Sequence, residues 1–392
     1  MLTTSSPPRG WFTLVFVLAV VLGAAPRLWA QTPPTTGAPA QPTPDDPAAG
    51  ASYARQAHEH DKPASDMAAA PSRLAWSGFT DALWQKGNEP GQPNTFSLGQ
   101  FTLYPTATLA DNLSMLAEIV VEAGSDNRIG IDIERVLLRY SFSDALSLSA
   151  GRYHQAIGYY NTAYHHSSWL QTTIERPEIF AFEDDGGPLP IHSVGVSAHG
   201  AFSGRALRLE YVAEVGNGRT SIPDTDDVQN LQDDNKYKAF NVALAVVPHG
   251  APNLRIGGSF YRDTLTPGGE GHQLDTVSSA YLVYSNDTWE FLNEAIVMRR
   301  GAGGTVAAAT TSPAYYSQIS RGFGRWRPYV RVEYTDLRTP IADAPAERQT
   351  LSLGGLRFDF AQLAALKVEY RRHDVSGASG FNAFAANVSF TF

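Results

Sequence analysis

The segment RWRPYVRVEYT, Arg325–Thr335, alternates strictly between two sets of side chains. One set is polar and consists of Arg325, Arg327, Tyr329, Arg331, Glu333 and Thr335, and the other consists of Trp326, Pro328, Val330, Val332 and Tyr334. Successive side chains of a β-strand point to opposite faces, so this period of two predicts a strand with one polar and one apolar face. The segments LKVEYRRHD (Leu366–Asp374) and SMLAEIVVE (Ser114–Glu122) repeat the pattern.

Sixteen segments of this kind predict sixteen strands, centred near residues 80, 104, 118, 135, 149, 197, 211, 243, 258, 279, 294, 318, 331, 353, 368 and 387. The connections between them alternate in length: 111–112 and 285–287 are tight turns, whereas 158–190 and 216–236 are long. A soluble sandwich has no such two-sided asymmetry, but membrane barrels have short turns at one end and long loops at the other. We therefore expect an all-β fold, a transmembrane antiparallel up-and-down β-barrel of about sixteen strands.

The first 72 residues indicate that the barrel is exported to the cell envelope. Residues 1–30 carry an apolar run and a plausible cleavage site after Ala30, which predicts a secretory signal peptide. The alternative, a membrane-spanning helix, needs roughly 20 apolar residues, and the run from Trp11 to Ala25 is shorter. Residues 31–72 are rich in proline, threonine and alanine and predict a disordered periplasmic tether, so that residues 73–392 form the barrel.

The last predicted strand, FNAFAANVSFTF, ends at Phe392 and carries Phe384, Val388 and Phe390 on one face. This ending resembles the assembly signal of bacterial outer-membrane barrels. We expect the barrel assembly machinery to be a partner of this strand, outer-membrane lipid and lipopolysaccharide to surround the barrel, and the location to be the bacterial cell outer membrane.

Composition restricts the kinds of function. The chain has no cysteine, which excludes disulfides, thiolate metal sites and cysteine nucleophiles. Charged residues make up 18% of the chain, below the roughly 25% of soluble proteins, so the surface need not be fully wetted. The net charge of −9 argues against nucleic acid as a partner.

The longest connection that these strands leave, Gly158–Pro190, is the third extracellular loop by the strand count, and it is both aromatic and acidic. Its aromatic side chains give it apolar surface to pack against an inner wall. We expect it to fold into the lumen and narrow it; the alternative is an outward lid over the barrel mouth. The predicted constriction residues are Tyr159, Tyr164, Trp169, Glu178, Glu183, Asp184 and Asp185.

The stretch Gly151–Gly200 resembles the phosphate-selective porin O and P family and related outer-membrane porins, in which a Gly-Arg-aromatic strand leads into a Gly-Tyr loop that ends in an acidic Gly-Gly turn. The resemblance implies a sixteen-stranded porin that assembles as a homotrimer and whose third extracellular loop narrows the lumen. Phosphate-selective members carry an arginine-rich constriction, whereas this loop is acidic. We therefore carry over the architecture and not the phosphate selectivity.

A basic wall is expected opposite this loop. Six basic residues lie at the alternate positions of strands thirteen to fifteen that are predicted to face the lumen. They are Arg325, Arg327, Arg331, Arg357, Lys367 and Arg371. In a ring of sixteen strands, the join of strands thirteen and fourteen lies half-way round from the join of strands five and six. Loop carboxylates would then face the basic wall across a narrow wet gap and produce a transverse field. The alternative is that these bases are structural and pair along the wall with Glu333, Asp359 and Glu369.

Two further clusters are weighed for chemistry. His58, Glu59, His60 and Asp61 offer metal donors but lie in the predicted tether without a scaffold to orient them, so no metal is expected. The histidines near the long loop, which are His154, His165, His166, His192 and His199, could serve a hydrolase at the barrel rim. Histidines beside tyrosines at a loop base are more often pore lining, so we expect no enzyme activity and no cofactor.

The resulting expectation is an outer-membrane porin that lets small hydrophilic solutes or inorganic ions diffuse passively, with size and charge filtered by the acidic loop. Two other functions stay open. A plugged barrel could anchor or bind within the envelope, and a rim-located hydrolase could use the histidines.

Overall fold

A computed structural model of the chain describes residues 74–88, 94–124, 127–164, 168–183, 186–220, 231–266, 272–301, 309–338 and 347–392. The predicted signal peptide and tether lie outside these residues. Within them, sixteen strands form one closed antiparallel barrel. The strands are β1 (Leu74–Gly87), β2 (Thr95–Ala110), β3 (Leu113–Ala123), β4 (Ile129–Ser143), β5 (Leu146–His154), β6 (His192–Ser203), β7 (Leu207–Asn217), β8 (Lys238–Pro248), β9 (Leu254–Leu265), β10 (Gln273–Ser285), β11 (Trp289–Gly301), β12 (Thr310–Arg321), β13 (Trp326–Asp336), β14 (Arg348–Ala361), β15 (Ala364–Val375) and β16 (Phe381–Thr391).

The strand prediction is confirmed, because each of the sixteen predicted centres falls within one observed strand. The alternation in β13 is also observed: Arg331 is 1% exposed on the inner face, whereas its neighbour Val330 is 54% exposed on the outer face. An apolar outer face and a polar inner face are what a barrel in lipid requires.

The barrel closes where the last strand meets the first. β16 pairs with β1 from Phe79 opposite Thr391 to Gly87 opposite Ala383. The terminal residue continues this ladder, since the backbone N–H groups of Gly78 and Phe392 each donate to the other's carbonyl oxygen at 3.0 Å. Closure leaves no strand edge with unpaired backbone groups, which a sheet in hydrocarbon cannot carry.

The connections differ between the two ends of the barrel, as the sequence predicts. One end has the short turns 111–112, 144–145, 204–206, 249–253, 286–288, 322–325 and 362–363. The other end has the longer connections, of which 155–191 and 218–237 are the largest. We name residues 155–191 loop 3; it contains a short helix, α1 (Tyr160–Ala163), and a 3-10 turn at Glu178–Phe180. No helix among the described residues is long and apolar enough to span a membrane.

Gly151 shapes β5 just before loop 3 begins. Its φ of +132° lies in the region that L-residues avoid, and a Cβ placed there would lie 2.0 Å from the carbonyl oxygen of Val136. The strand can therefore take this path into loop 3 only with glycine at this position.

We predict that Gly151→Ala lowers the free energy of unfolding by about 1–3 kcal/mol, because the added methyl group meets backbone and the φ angle is strained. Gly130→Ala is the matched control, since nothing lies within 4 Å of a Cβ at Gly130. Urea unfolding of the refolded barrels measures both, and equal midpoints for the two variants would contradict the prediction.

Candidate functional site

Loop 3 folds into the barrel. Its two ends are joined by a hydrogen bond from the backbone N–H of Gln155 to the carbonyl oxygen of Ile191, at 2.8 Å. Several of its large apolar side chains, such as Tyr160 and Phe180, are fully buried. Many of its hydrogen-bond partners lie on β9 to β16. Close to its start, the backbone N–H of Ala156 donates to Glu214 of β7 at 3.0 Å. The expected inward fold of the third long loop is confirmed, and an outward lid is excluded.

An apolar patch on the inner wall receives the loop. Its side chains lie on β10, β11 and β12 and include Val277, Val283, Leu292, Ile296, Met298 and Ala314. The rings of Tyr160 and Tyr316 meet edge to face at 6.0 Å, and Phe180 contacts the same Tyr316 ring at 6.1 Å. Each fully buried large apolar side chain contributes about 1.5–3 kcal/mol. A hydrophobic core within the lumen therefore holds loop 3 in place.

The carboxylate of Glu294 holds the start of α1. It accepts hydrogen bonds from the backbone N–H groups of Tyr159 at 2.6 Å and Tyr160 at 2.9 Å, and from the hydroxyl of Tyr316 at 2.6 Å. Gly158 precedes these residues with a φ of +73°, and a Cβ there would lie 2.5 Å from the Glu294 carboxylate. Helix-terminal N–H groups have no partner within their own helix, and Glu294 provides one from the opposite wall.

Lys367 on β15 binds the middle of loop 3. Its ammonium group donates to the carbonyl oxygens of Ser168, Gln171 at 2.8 Å and Thr173 at 2.7 Å. The side chain is 0% exposed. An ammonium group has three N–H donors, and here all three are used by backbone carbonyls that would otherwise be unpaired inside the barrel.

Two arginines extend this contact along the loop. Arg357 donates to the carbonyl oxygens of Trp169 at 2.8 Å and Gln171 at 3.0 Å, and its guanidinium lies 4.9 Å from the centre of the Trp169 ring. Arg331 donates to the carbonyl oxygens of Glu175 and Arg176, both at 3.0 Å. Each keeps an acidic partner on its own strand, because Arg357 pairs with Asp359 and Arg331 pairs with Glu333.

Arg371 completes the contact with an ion pair. It lies 2.6 Å from the Glu175 carboxylate of loop 3 and 2.5 Å from Glu369 of its own strand. Glu369 in turn accepts from the backbone N–H of Ile174 at 3.3 Å. The wall thus supplies donors to the loop's carbonyls and acceptors to its N–H groups.

These contacts correct the expected wet gap. Arg331, Arg357, Lys367 and Arg371 are opposite loop 3 as predicted, but they hydrogen-bond to it directly and are buried beneath it. The predicted alternative, pairing along the wall with Glu333, Asp359 and Glu369, is what the structure shows. The reason is that an irregular backbone in the lumen brings many unpaired carbonyls, and cations are strong donors to them.

Arg325 and Arg327 lie at the short-turn end of the barrel. Arg327 donates to the Ser320 hydroxyl at 3.2 Å and to the carbonyl oxygen of Asp287 at 2.9 Å, beside the short turns. Arg325 lies in the turn that precedes β13, where its carbonyl accepts from the N–H of Asp359. The sequence placed Arg327 on the correct strand, whereas Arg325 lies in the turn one residue before it. Alternation says nothing of height along the barrel axis.

The predicted constriction residues divide into two groups. Tyr159, Tyr164 and Trp169 belong to the hydrophobic core of loop 3. Glu178 lies at the edge of the wall contact, with its backbone N–H donating to Glu333 at 2.7 Å and its carboxylate 3.3 Å from His373. Asp184 and Asp185 lie outside the described residues.

Glu183 lies at the base of the loop and not opposite the basic wall. Its carboxylate accepts from the backbone N–H of His192 and from the His192 ring, both at 2.9 Å. The other ring nitrogen of His192 lies 2.7 Å from Glu134. Burial by itself raises the pKa of Glu183, but the charge and hydrogen bonds of His192 outweigh it and lower the pKa. The Glu183 carboxylate is therefore ionised and used within the protein at neutral pH.

Among the described carboxylates of loop 3, that of Glu175 is the most open to water. The side chain of Glu175 is 52% exposed, although one oxygen pairs with Arg371. The side chain of Glu178 is 26% exposed, but its Oε2 is buried and its Oε1 lies 3.3 Å from His373. Arg371, the base that pairs with Glu175, is buried, whereas His373 beside Glu178 is partly exposed.

Three elements of the site have no counterpart in the sequence prediction. These are Glu294, the inward apolar patch, and Arg219 of the connection 218–237, which donates to the carbonyl oxygen of Pro188 and lies 3.8 Å from Asp275. One signal was present in the sequence: the segment FLNEAIVM of β11 does not alternate cleanly. Its outer face meets lipid and its inner face meets loop 3, so both faces carry apolar side chains.

No protein-family model and no curated protein matches the sequence. Solved structures do match its fold. An anion-selective porin from Comamonas acidovorans superposes with a TM-score of 0.59 at 12% identity, over 81% of this chain and 99% of that one. The chain has the porin fold. The outer-membrane channel DcaP of Acinetobacter baumannii matches with a TM-score of 0.54 at 13% identity, over 83% and 100% of the two chains.

The trimer form of OmpT, an outer-membrane protein of Vibrio cholerae, matches with a TM-score of 0.53 at 10% identity, over 81% of this chain and 99% of that one. These identities are low, so the likeness is one of architecture. The expectation of an outer-membrane barrel of the porin type is confirmed at that level. The narrower resemblance to phosphate-selective porins stays a prediction.

We predict that Glu294→Gln lowers the free energy of unfolding by about 2–4 kcal/mol, because two backbone N–H groups and one hydroxyl compete for a single remaining oxygen inside the barrel. Hydrogen exchange at the amides of Tyr159 and Tyr160 should accelerate in the variant. Glu210→Gln is the control: Glu210 pairs with Arg255 and Arg208 away from loop 3, and partly exposed pairs contribute about 1 kcal/mol or less. Unchanged exchange in Glu294→Gln would exclude the proposed anchoring.

Proposed function

We propose that the protein is a porin of the bacterial outer membrane, in which small hydrophilic solutes pass through the lumen that loop 3 leaves open. The observation that carries the proposal is the direct bonding of loop 3 to β11, β13 and β15 inside a sixteen-stranded barrel. A barrel of this strand number encloses more space than side chains fill. A long loop fixed within it sets a size limit without a moving part.

The charge filter that we propose is formed by loop carboxylates alone. It differs from the expected transverse field between an acidic loop and a basic wall. The wall bases beneath loop 3 are buried and paired, whereas the side chain of Glu175 is 52% exposed and that of Glu178 is 26% exposed. A lumen lined at its narrow point by carboxylates raises the local concentration of cations and lowers that of anions. The proposed solutes are therefore small cations and neutral hydrophilic molecules, and phosphate is disfavoured.

One assembly and one alternative function accompany this proposal. A homotrimer is supported by the trimeric form of one matching structure. A plugged barrel that anchors or binds in the envelope is favoured by one observation, the amount of apolar surface that loop 3 buries in the lumen. Conductance in planar bilayers separates the two functions: steps of ohmic current support the porin, and a correctly folded barrel without current supports the plug.

The geometry of His154 and His192, among the described histidines near the loop, gives no support to catalysis at the rim. His192 is enclosed between Glu183 and Glu134 and is buried, so it cannot meet a substrate. His154 is also buried, with its ring 4.8 Å from that of His192. His165 and His166 lie outside the described residues. We therefore keep diffusion as the proposed activity.

We predict that Glu175→Gln/Glu178→Gln lowers the preference for potassium over chloride by about two- to fivefold. An exposed charge changes the free energy of a monovalent ion 4 Å away by about 1 kcal/mol in water, before screening by salt. The reversal potential across a tenfold potassium chloride gradient measures the change.

Glu183→Gln is the matched control for this measurement. It removes a carboxylate of the same loop that is buried against His192, so the reversal potential should stay near that of the parent. A larger shift for Glu183→Gln than for the double variant would place the filter at the base of the loop and overturn this assignment.

A further inference from the structure

We propose that Arg262 and Arg299 form a binding site for the phosphate groups of a bisphosphorylated lipid of the outer leaflet, the lipid A type. This inference rests on the proposed location of the barrel. It concerns the outer surface of β9 to β11 and is separate from the lumen and loop 3.

The register of the sheet places the two arginines side by side. Thr276 of β10 is opposite Arg262 of β9 and also opposite Arg299 of β11. Adjacent strands lie about 4.8 Å apart, so the two backbones are about 10 Å apart. The reach of two arginine side chains then allows them to meet on one phosphate or to hold two neighbouring ones.

Both side chains point out of the barrel. Their chain neighbours Tyr261, Asp263 and Met298 are buried on the inner face, whereas Arg262 and Arg299 are exposed. Because side chains alternate along a strand, the arginines share the outer face with Phe260 and Val297, which are 44% and 38% exposed. A lipid molecule lying against this face would contact both apolar and cationic groups.

The height of the arginines fits a headgroup and not an acyl chain. Trp289 begins β11 at the short-turn end, where aromatic residues mark one membrane interface. From Trp289 to Arg299 the strand extends about 34 Å, which at a tilt of about 40° spans about 26 Å of height. The apolar band of such barrels is about 25 Å tall. Arg299 therefore lies at the opposite interface, the one on the side of the long loops.

Among the residues that the structure describes, nothing compensates the positive charge at this position. The side chains of Arg262 and Arg299 make no hydrogen bond or ion pair with any residue that the structure describes. The strand residues that face outward on β8 to β12 include no aspartate or glutamate among those described. By contrast, Arg372 near the same end of the barrel pairs with Asp374 at 2.6 Å. Two unpaired guanidinium groups at an interface complement phosphate, which arginine binds through two parallel hydrogen bonds.

Native mass spectrometry of the full chain in mild detergent, with added bisphosphorylated lipid A, tests the site. The parent should retain a lipid A adduct, and Arg262→Gln/Arg299→Gln should lose apparent affinity by about tenfold to thirtyfold, since each base near an anionic surface contributes about fivefold. Arg262→Lys/Arg299→Lys keeps the charge but loses the two parallel hydrogen bonds of arginine. Its apparent affinity for lipid A should lie between those of the parent and the glutamine double variant. Conductance should be the same for all, because the residues lie outside the lumen.

Arg205→Gln is the matched control: Arg205 is an exposed base in the short turn 204–206, at the other end of the barrel. Equal retention of lipid A by the parent and the glutamine double variant would overturn the proposal, as would an equal loss in Arg205→Gln.

Two competition measurements test the identity of the ligand. Displacement of lipid A by inorganic phosphate at matched concentration would assign the site to a soluble anion and overturn the proposal. Equal binding of phosphatidylglycerol and lipid A would overturn the assignment to a bisphosphorylated lipid. A change in the number of protomers in the double variant would make this face a protein interface instead. Loss of conductance in the parent would refute the porin proposal while leaving the adduct measurement intact.

Discussion

The structure depends on the satisfaction of loop 3's backbone. An irregular segment inside a barrel carries N–H and C=O groups that neither a helix nor a sheet pairs, and each one left unpaired away from water costs about 1–3 kcal/mol. Lys367, Arg357 and Arg331 provide donors for the carbonyls between Ser168 and Arg176, and Glu294, Glu333 and Glu369 provide acceptors for N–H groups. These side chains belong to the wall, so the loop's path is determined by residues far away in the sequence.

This constraint also explains the charge of the lumen. Arg331 donates to loop carbonyls and pairs with Glu333 of its own strand. A base paired in this way exerts only a weak electrostatic attraction on an ion in the lumen. Among the described carboxylates of loop 3, that of Glu175 keeps the largest exposure. The wall bases beneath loop 3 are thus used in holding the loop. The same reasoning separates Glu183, which His192 binds at the loop base, from Glu175, which water reaches.

The barrel could be predicted from the sequence because period-two alternation and connection length are local properties. The inward fold of loop 3 followed from its aromatic content, and its position opposite β13 to β15 followed from counting strands. The contact itself could not be predicted, since it depends on height: Arg327 and Arg331 share a face, yet one lies beside the short turns and the other beneath the loop. Glu294 was missed because a lone acid in a weakly alternating strand has no local signature, and its partners in loop 3 are more than a hundred residues away.

The central claim is that loop 3 is held against the wall and does not move during conduction. The chain has no cysteine, so a pair of cysteines introduced at Ser168 and Asn387, whose side chains lie 3.0 Å apart, can be joined by a short thiol-specific linker. Single-channel conductance is then compared before and after linking. The account predicts the same conductance and no change in current noise, because the linker joins groups already in contact. A marked fall in conductance or noise on linking, or failure of the pair to link in the folded barrel, would contradict it.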